Sequence, residues 1–166
     1  MVKIKYIDFG YNKMKRKLAE LNGKKIAVGY PQPSKEGAIA LVHEFGAVVP
    51  VTDKMRGFFA ARGIHLSPQK THIVIPERSF LRAGFDKHQK EVLDQAIKAL
   101  DRTIFGNMSV QNFCDLYGLL MTGKLQDYAI NLRTPPNAAL TVMWKGSDNP
   151  LVDHGRMIRA ITWEVE

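Results

Sequence analysis

Two apolar repeats in the second half of the sequence constrain the fold most strongly, because each has the period of an α-helix. Gly106 separates the two repeats, and Ser109 is placed to cap the second one. Two such helices joined by a short turn form a helical hairpin whose apolar stripes need another layer to cover them. The stripes consist of Leu93, Ile97, Leu100 and Ile104, followed by Val110, Phe113, Leu116, Tyr117 and Leu120.

Strand patterns near both ends of the chain can supply that layer. Residues 26–30 form a short apolar run stopped by Pro31, and residues 161–165 alternate apolar and polar side chains as a half-buried strand does. The sequence therefore predicts an α+β fold, with a small, mainly antiparallel sheet packed against the two longer helices. With 166 residues, a single domain spanning 1–166 is expected.

Shorter helices are predicted outside the hairpin. Gly23 can end the first of them as a left-handed cap, and Ser34 can cap a second one over residues 36–45. Residues 38–42 are apolar on every side, so this second helix is expected to be buried. A further short helix is predicted around residues 140–144. The first helix carries its apolar stripe on Tyr11, Met14, Leu18 and Leu21.

Residues 47–75 are predicted to form a protruding, hairpin-like arm, because two extended apolar runs flank a short helical piece. Thr52 or Asp53 is expected to cap that piece. The tip has more apolar surface than a solvent loop needs, so it either folds back on the core or docks on a neighbouring subunit. The candidate interface residues are Met55, Phe58, Phe59 and Arg62.

Positive charge is concentrated at one end of the chain. Of a net charge of +8, residues 1–25 contribute most, with eight Lys or Arg against two acidic residues. Such a segment can hold DNA through phosphate contacts, or it can be a solvated helix face. The first 21 residues lack the apolar stretch of a signal peptide, and no membrane association is expected. The single cysteine suits a protein made in a reducing cytoplasm.

No catalytic or metal-binding constellation emerges from the sequence. Residues 118–124 match most of a phosphate-binding loop, but Leu125 stands where a magnesium-binding Ser or Thr is required. His43-Glu44 lacks the second histidine of a zinc-protease helix, because position 47 is alanine. Ser67 and Lys70 have the spacing of a nucleophile pair but lie in a turn that contains proline. We therefore expect a protein that is not an enzyme and that uses no cofactor; an unrecognised hydrolase is the competing possibility.

Three segments, in order, resemble motifs of the phage virion morphogenesis and tail-completion family. They cover residues 42–46, 75–82 and 149–157, and the region 55–66 is similar to longer-armed members. Ser79 stands where the family's second motif usually has proline, and His154 and Met157 replace Thr and Leu in the third. The motif residues are His43, Glu44, Phe45 and Gly46; Pro76, Arg78, Phe80 and Leu81; and Pro150, Leu151, Asp153 and Gly155.

The resemblance implies a structural virion protein of the neck or tail that completes the tail and joins it to the DNA-filled head. It implies a homo-oligomeric ring around the DNA channel, expected to be six- or twelvefold. The neighbouring partners would be portal or adaptor, terminator or tail-tube proteins. Lys13, Lys15, Arg16 and Lys17 are then candidates for facing the channel DNA. A DNA-binding module that uses this basic segment is the alternative.

The motif residues also have an architectural interpretation. Pro76 and Glu77 suit the first turn of a helix, where a missing N–H costs nothing and a negative charge is favoured. Phe80 and Leu81 can anchor that helix on the sheet. Asp153 is predicted to cap the last helix, with Gly155 allowing close backbone approach.

Overall fold

A computed structural model describes residues 8–166, and the described part of the chain contains seven helices and four strands. This arrangement confirms the predicted α+β fold with two long helices. In chain order the elements are α1 (Tyr11–Asn22), β1 (Ile26–Gly29), α2 (Lys35–Phe45), β2 (Ala47–Pro50), α3 (Asp53–Ala60), β3 (His72–Ile75), α4 (Leu81–Ile104), α5 (Val110–Asn131), α6 (Ala139–Lys145), α7 (Arg156–Arg159) and β4 (Thr162–Val165).

The strands form two separate antiparallel pairs. β1 pairs with β4, with Ile26 opposite Val165, and this pair packs on α5. β2 pairs with β3, with Ala47 opposite Ile75, and forms the base of the predicted arm. The first pair joins the segment that follows α1 to the last strand of the chain on the surface of α5.

The helical hairpin of α4 and α5 is confirmed, but the predicted buried face of α4 is wrong. Leu93 and Ile97 are 52% and 51% exposed. The buried stripe lies one residue away and consists of smaller side chains, which let the two helices approach closely. Periodicity identified the helix correctly but selected the larger apolar residues for its inner face. The buried residues are Gly84, Val92, Ala96, Ala99 and Thr103.

β4 approaches α5 closely at Gly118. A Cβ atom there would lie 2.4 Å from the Trp163 ring, so any larger residue would collide with it. Trp163 is further positioned by its indole N–H, which donates to Asp115 Oδ1 at 3.1 Å. The segment that resembles a phosphate-binding loop, residues 118–124, therefore lies inside an unbroken helix, and Gly118 is required for packing.

Two details of the shorter helices differ from expectation. Gly23 ends α1 in a right-handed conformation, with φ −88°, and the N–H of the following residue, Lys24, donates to the carbonyl of Leu21 at 3.1 Å. α2 is not buried on every side: only Ala40 and Glu44 are buried, whereas Leu41 is 61% exposed. The predicted Ser34 cap of α2 is confirmed, since the Ser34 hydroxyl accepts from the N–H of Gly37.

Candidate functional site

The first two sequence motifs meet at the carboxylate of Glu44, which caps the N-terminus of α4 from a different helix. Oε2 accepts from the backbone N–H groups of Phe80 and Leu81 at 2.8 and 2.9 Å. Oε1 accepts from the N–H of Arg82 at 3.1 Å and from the Ser79 hydroxyl at 2.7 Å. Phe80 has no side-chain acceptor of its own, so Glu44 supplies the missing cap.

Glu44 stays ionised although it is only 3% exposed. Burial alone would raise its pKa, but the hydrogen bonds from Leu81, Ser79 and Arg82 outweigh that effect and hold the pKa below its ordinary value. The Arg82 Nε also donates to Oε1 at 3.0 Å. Because its acceptor positions are occupied by donors of the fold, this carboxylate is an architectural group.

Gly46 allows the chain to leave α2 and pass directly beside the second motif. It adopts φ +71°, and a Cβ there would lie 2.9 Å from the backbone N of Glu77 and the carbonyl O of Ile75.

The prediction that Pro76 and Glu77 lie in the first turn of a helix was wrong, because α4 begins only at Leu81 and both residues lie in the preceding loop. Glu77 instead forms an ion pair with Arg82 at 2.8 Å.

Arg78 ties the second motif to the proline-rich loop after α5. It is 4% exposed, and its guanidinium donates to the carbonyls of Pro135 and Pro136 at 2.8 and 2.9 Å. Its backbone N–H donates to the carbonyl of His43 at 2.7 Å. Within residues 8–166 no carboxylate forms an ion pair with Arg78. The buried positive charge is therefore solvated by carbonyl dipoles and not neutralised.

The third motif begins with a turn built around Asn149. The side-chain oxygen of Asn149 accepts from the N–H groups of Leu151 and Val152, both at 3.1 Å. Leu151 and Pro150 are buried. The predicted Asp153 cap of the last helix is wrong, because α7 starts after Gly155, which has φ +71° and no side-chain cap.

Asp153 has a different partner in the structure. Its carboxylate is exposed and lies 2.8 Å from Nδ1 of His154.

The first and third motifs line one groove, which we call the motif groove. It has a volume of about 570 Å³ and lies between α2, α6 and the loop that leads into α7. The second motif lies directly behind this groove, because its Arg78 contacts His43, which lines the groove. The lining includes Lys35, Glu36, Ile39, His43, Asn137, Trp144, Lys145, Pro150, Leu151, Asp153, Gly155 and Arg156.

The predicted arm is present, and its tip folds back on the same chain. The Thr52 hydroxyl accepts from the N–H of Met55, which confirms one of the two predicted caps. Phe59 stacks on Trp144 of α6 with ring centroids 5.7 Å apart, and Phe58 meets the same indole edge-on at 6.5 Å. Arg62 lies over the Phe58 ring at 3.5 Å. Phe58 nevertheless remains 48% exposed.

Sequence reasoning missed the residue that holds the tip of the arm together. The guanidinium of Arg56 donates to the carbonyls of Ser67 and Lys70 at 3.1 and 2.8 Å, which joins α3 to the returning chain. A single arginine in an apolar arm gives no sequence signal for such a role.

The base of the arm is not covered by other parts of the described chain. Val48 and Val74 lie opposite each other on β2 and β3, and each is 65% exposed.

Two of the four cationic residues proposed to face DNA, Lys13 and Lys17, bond to the end of α4 and the segment after it. Lys17 Nζ donates to the carbonyls of Gly106 and Met108 at 3.0 and 2.9 Å, and also to that of Thr103. Lys13 contacts Asn107 Oδ1 at 3.3 Å. Lys15 and Arg16 are exposed. Lys3 and Lys5 of the same basic segment lie outside the described residues.

Lys17 therefore caps the C-terminus of α4, and this role predicts a stability effect. Lys17→Met removes a cation from the free carbonyls at the negative end of that helix and is expected to cost about 1–2 kcal/mol. Lys15→Met, the matched control on the exposed face, is expected to change stability by less than about 0.5 kcal/mol. Urea unfolding measures both; equal effects would show that the cap contributes nothing.

No group of three or more His, Cys, Asp or Glu side chains able to hold a metal ion occurs in the described part of the chain. None of the described helices is long and apolar enough to cross a membrane.

Two side chains that could serve as nucleophiles, Ser67 and Cys114, have structural surroundings. Ser67 lies in the turn of the arm, where its hydroxyl bonds to Gln69. Burial raises the pKa of the Cys114 thiol, which disfavours its reactive thiolate form.

Comparisons of this chain with protein-family models, with curated proteins and with solved structures found no match in any of the three.

Proposed function

We propose that this chain is a structural protein of the neck or tail of a tailed bacteriophage, where it completes the tail and joins it to the DNA-filled head. The observation that carries the proposal is the meeting of the three motifs that resemble the tail-completion family. Glu44 of the first motif caps the helix that follows the second, and His43 lies with Pro150 and Leu151 of the third along one groove. Motifs spread over about a hundred residues of sequence thus act together as one architectural unit.

The chemistry of these residues supports an architectural role. The Glu44 carboxylate is saturated by donors, and the Arg78 guanidinium is occupied by carbonyls of the loop after α5. Neither group is free to act as a base, a nucleophile or an anion clamp in the described fold. An enzyme would require reactive groups that point into a pocket and whose hydrogen-bonding positions are not already filled by the fold.

A ring around a channel forms only if copies of the chain associate with one another. A closed ring needs a heterologous contact, in which two different surfaces of each subunit meet. The arm offers one such surface, because Phe58 at its tip and Val48 and Val74 at its base are large, apolar and about half exposed or more. The tip is held in place by Trp144, so it is presented as a rigid element.

The ring is expected to contact neighbouring portal or adaptor, terminator or tail-tube rings. Contact with channel DNA falls to Lys15 and Arg16, because Lys17 is engaged with the end of α4 and Lys13 with Asn107. Lys15 and Arg16, repeated around a ring, would contribute to a non-specific electrostatic lining. Because the fold occupies Lys17, one of the four candidate cations, an independent DNA-binding module that uses these four residues is the weaker alternative.

Self-association through the arm can be tested in solution. The double variant Val48→Ser, Phe58→Ser removes exposed apolar surface without touching a buried residue, and we expect it to shift the purified chain from a ring-sized species to a monomer. Leu119→Ser is the matched control, because Leu119 is similarly exposed on α5, away from the arm. Sedimentation velocity measures the mass. An unchanged ring in the double variant, or loss of the ring in the control, would refute the arm as the interface.

A further inference from the structure

The motif groove combines an apolar floor with a cationic rim. Ile39 and Trp144 are partly exposed within it, and Leu151 forms part of its wall. The Phe59 ring stacks on the Trp144 indole and fixes its position. A groove of about 570 Å³ has the size of sites that bury a few side chains or a small ligand.

Positive charge in the groove exceeds negative charge. Lys35, Lys145 and Arg156 line it, against two acidic residues, Glu36 and Asp153. The Asp153 carboxylate also lies 2.8 Å from Nδ1 of His154. Such an excess of one sign along a concave surface attracts a ligand of the opposite sign.

The buried guanidinium of Arg78 adds to this positive potential from behind the groove wall. Its charge has no carboxylate partner among the described residues, and it lies beside His43. Burial first, and then the charge of Arg78, lowers the pKa of His43. For Lys145 too, burial is the largest cause of a lowered pKa; the charges of Asp153 and Asp148 oppose this shift, and that of Arg78 adds to it. Burial and Arg78 thus disfavour the charged forms of His43 and Lys145, and an anion bound in the groove would favour them.

From the cavity and its charges we infer that the motif groove binds a short peptide segment of another protein in which acidic residues flank a large apolar one. The apolar side chain lies against Ile39 and Trp144, and the carboxylates meet the exposed Lys35 and Arg156 at the rim. Lys145 already donates to the carbonyl of Asn149 and contributes its charge from the groove wall. A nucleic-acid backbone fits less well, because it offers phosphates but no apolar side chain for the floor. The site rests on the groove's own residues and stands whether or not the chain is a virion protein.

The binding test uses the full chain and a fluorescent peptide of sequence Glu-Glu-Leu-Phe-Glu-Glu. Fluorescence polarisation measures affinity, and the NMR signal of the Trp144 indole N–H reports whether the groove is occupied. We expect saturable binding with a shift of that signal. Weaker binding by at least about tenfold is expected for Lys-Lys-Leu-Phe-Lys-Lys, which lacks the acidic residues, and for Glu-Glu-Ser-Ser-Glu-Glu, which lacks the apolar ones.

The decisive variant is Lys35→Glu, Arg156→Glu. Both residues are exposed and make no ion pair within residues 8–166, and each is the first residue of a helix, where glutamate is favoured. The fold should therefore survive, which the thermal unfolding midpoint checks. We expect the variant to bind the acidic peptide at least about tenfold more weakly. The control Lys54→Glu, Lys90→Glu makes the same charge change outside the groove and is expected to leave binding unchanged.

Three results would overturn the peptide site. One is the absence of saturable binding by the acidic peptide, and another is equal loss of affinity in the rim variant and its control. The third is tighter binding at Trp144 by duplex DNA or by inorganic pyrophosphate than by the peptide, with the same sensitivity to Lys35→Glu, Arg156→Glu. That result would make the groove a phosphate site.

Discussion

Replacing Glu44 with alanine is expected to lower the free energy of unfolding by about 3 kcal/mol. The change leaves the backbone N–H groups of Phe80, Leu81 and Arg82 without their acceptor at the buried start of α4. It also removes the link that holds α2 against α4. Urea-induced unfolding followed by circular dichroism measures the loss.

Glu77→Ala is the matched control for this prediction. Glu77 also forms an ion pair with Arg82, but both side chains are more than half exposed, so its removal is expected to cost less than about 0.5 kcal/mol. A similar loss for Glu44→Ala and Glu77→Ala would contradict the account, because the buried cap would then contribute no more than a surface pair.

The same cap predicts how stability depends on pH. The pKa of Glu44 is lower in the folded chain than its ordinary value of 4.5, so the folded state favours the ionised carboxylate. Its stabilisation is fully present above pH 4.5 and is lost as pH falls through the folded pKa.

Glu44→Gln separates this effect from that of other groups, since glutamine cannot ionise. Its unfolding free energy is expected to fall less steeply than that of the parent chain below pH 4.5. His43 also has a lowered pKa, but its contribution begins to decline already as pH falls below its ordinary value of 6.5, so the loss from His43 starts at a higher pH than the loss from Glu44. Identical acid dependence of the Glu44→Gln variant and the parent would show that the carboxylate is not preferentially ionised in the folded state.

Gly118→Ala is expected to destabilise the fold by about 2–3 kcal/mol, although alanine is the better helix former. The new methyl group would lie 2.4 Å from two ring atoms of Trp163 and 2.9 Å from its Cβ. Relief requires β4 to move away from α5, and β4 is fixed by its pairing with β1. Thermal and urea unfolding measure the loss, and the near-ultraviolet circular dichroism of Trp163 reports the displacement.

Gly123→Ala provides a control on the same helix. No atom lies within 4 Å of the position that its Cβ would occupy, so only helix propensity acts and a gain of about 0.5–1 kcal/mol is expected. A loss of stability in Gly118→Ala together with a gain in Gly123→Ala would establish close packing at Gly118. Stabilisation by both substitutions would contradict it.

The elements of this fold were predictable where a local signal exists. Helical period located α4 and α5, Ser34 and Thr52 were recognised as caps, and Pro50 and the apolar runs around it indicated the arm. The buried face of α4 was not predictable from period alone. Leu93 and Val92 are both apolar, and the choice between their faces depends on how closely α5 can approach, which is a tertiary property.

The candidate site was only partly predictable for a related reason. Three motifs could be marked on the sequence, but their contacts join residues far apart in the chain. Glu44 caps a helix that begins at Leu81, and Lys17 donates to the carbonyls of Thr103, Gly106 and Met108 at and just beyond the end of that helix. A carboxylate or an ammonium group in a sequence does not specify which distant backbone groups it will satisfy, so both roles emerged only from the fold.

Under the proposed role this chain is encoded by a phage, and the most direct test is to image the particles that form when its gene is deleted. Electron microscopy of purified lysates is expected to show DNA-filled heads and separate, unattached tails, and supplying the chain in trans should restore joined virions. Normal, infectious virions formed without the chain would contradict the account.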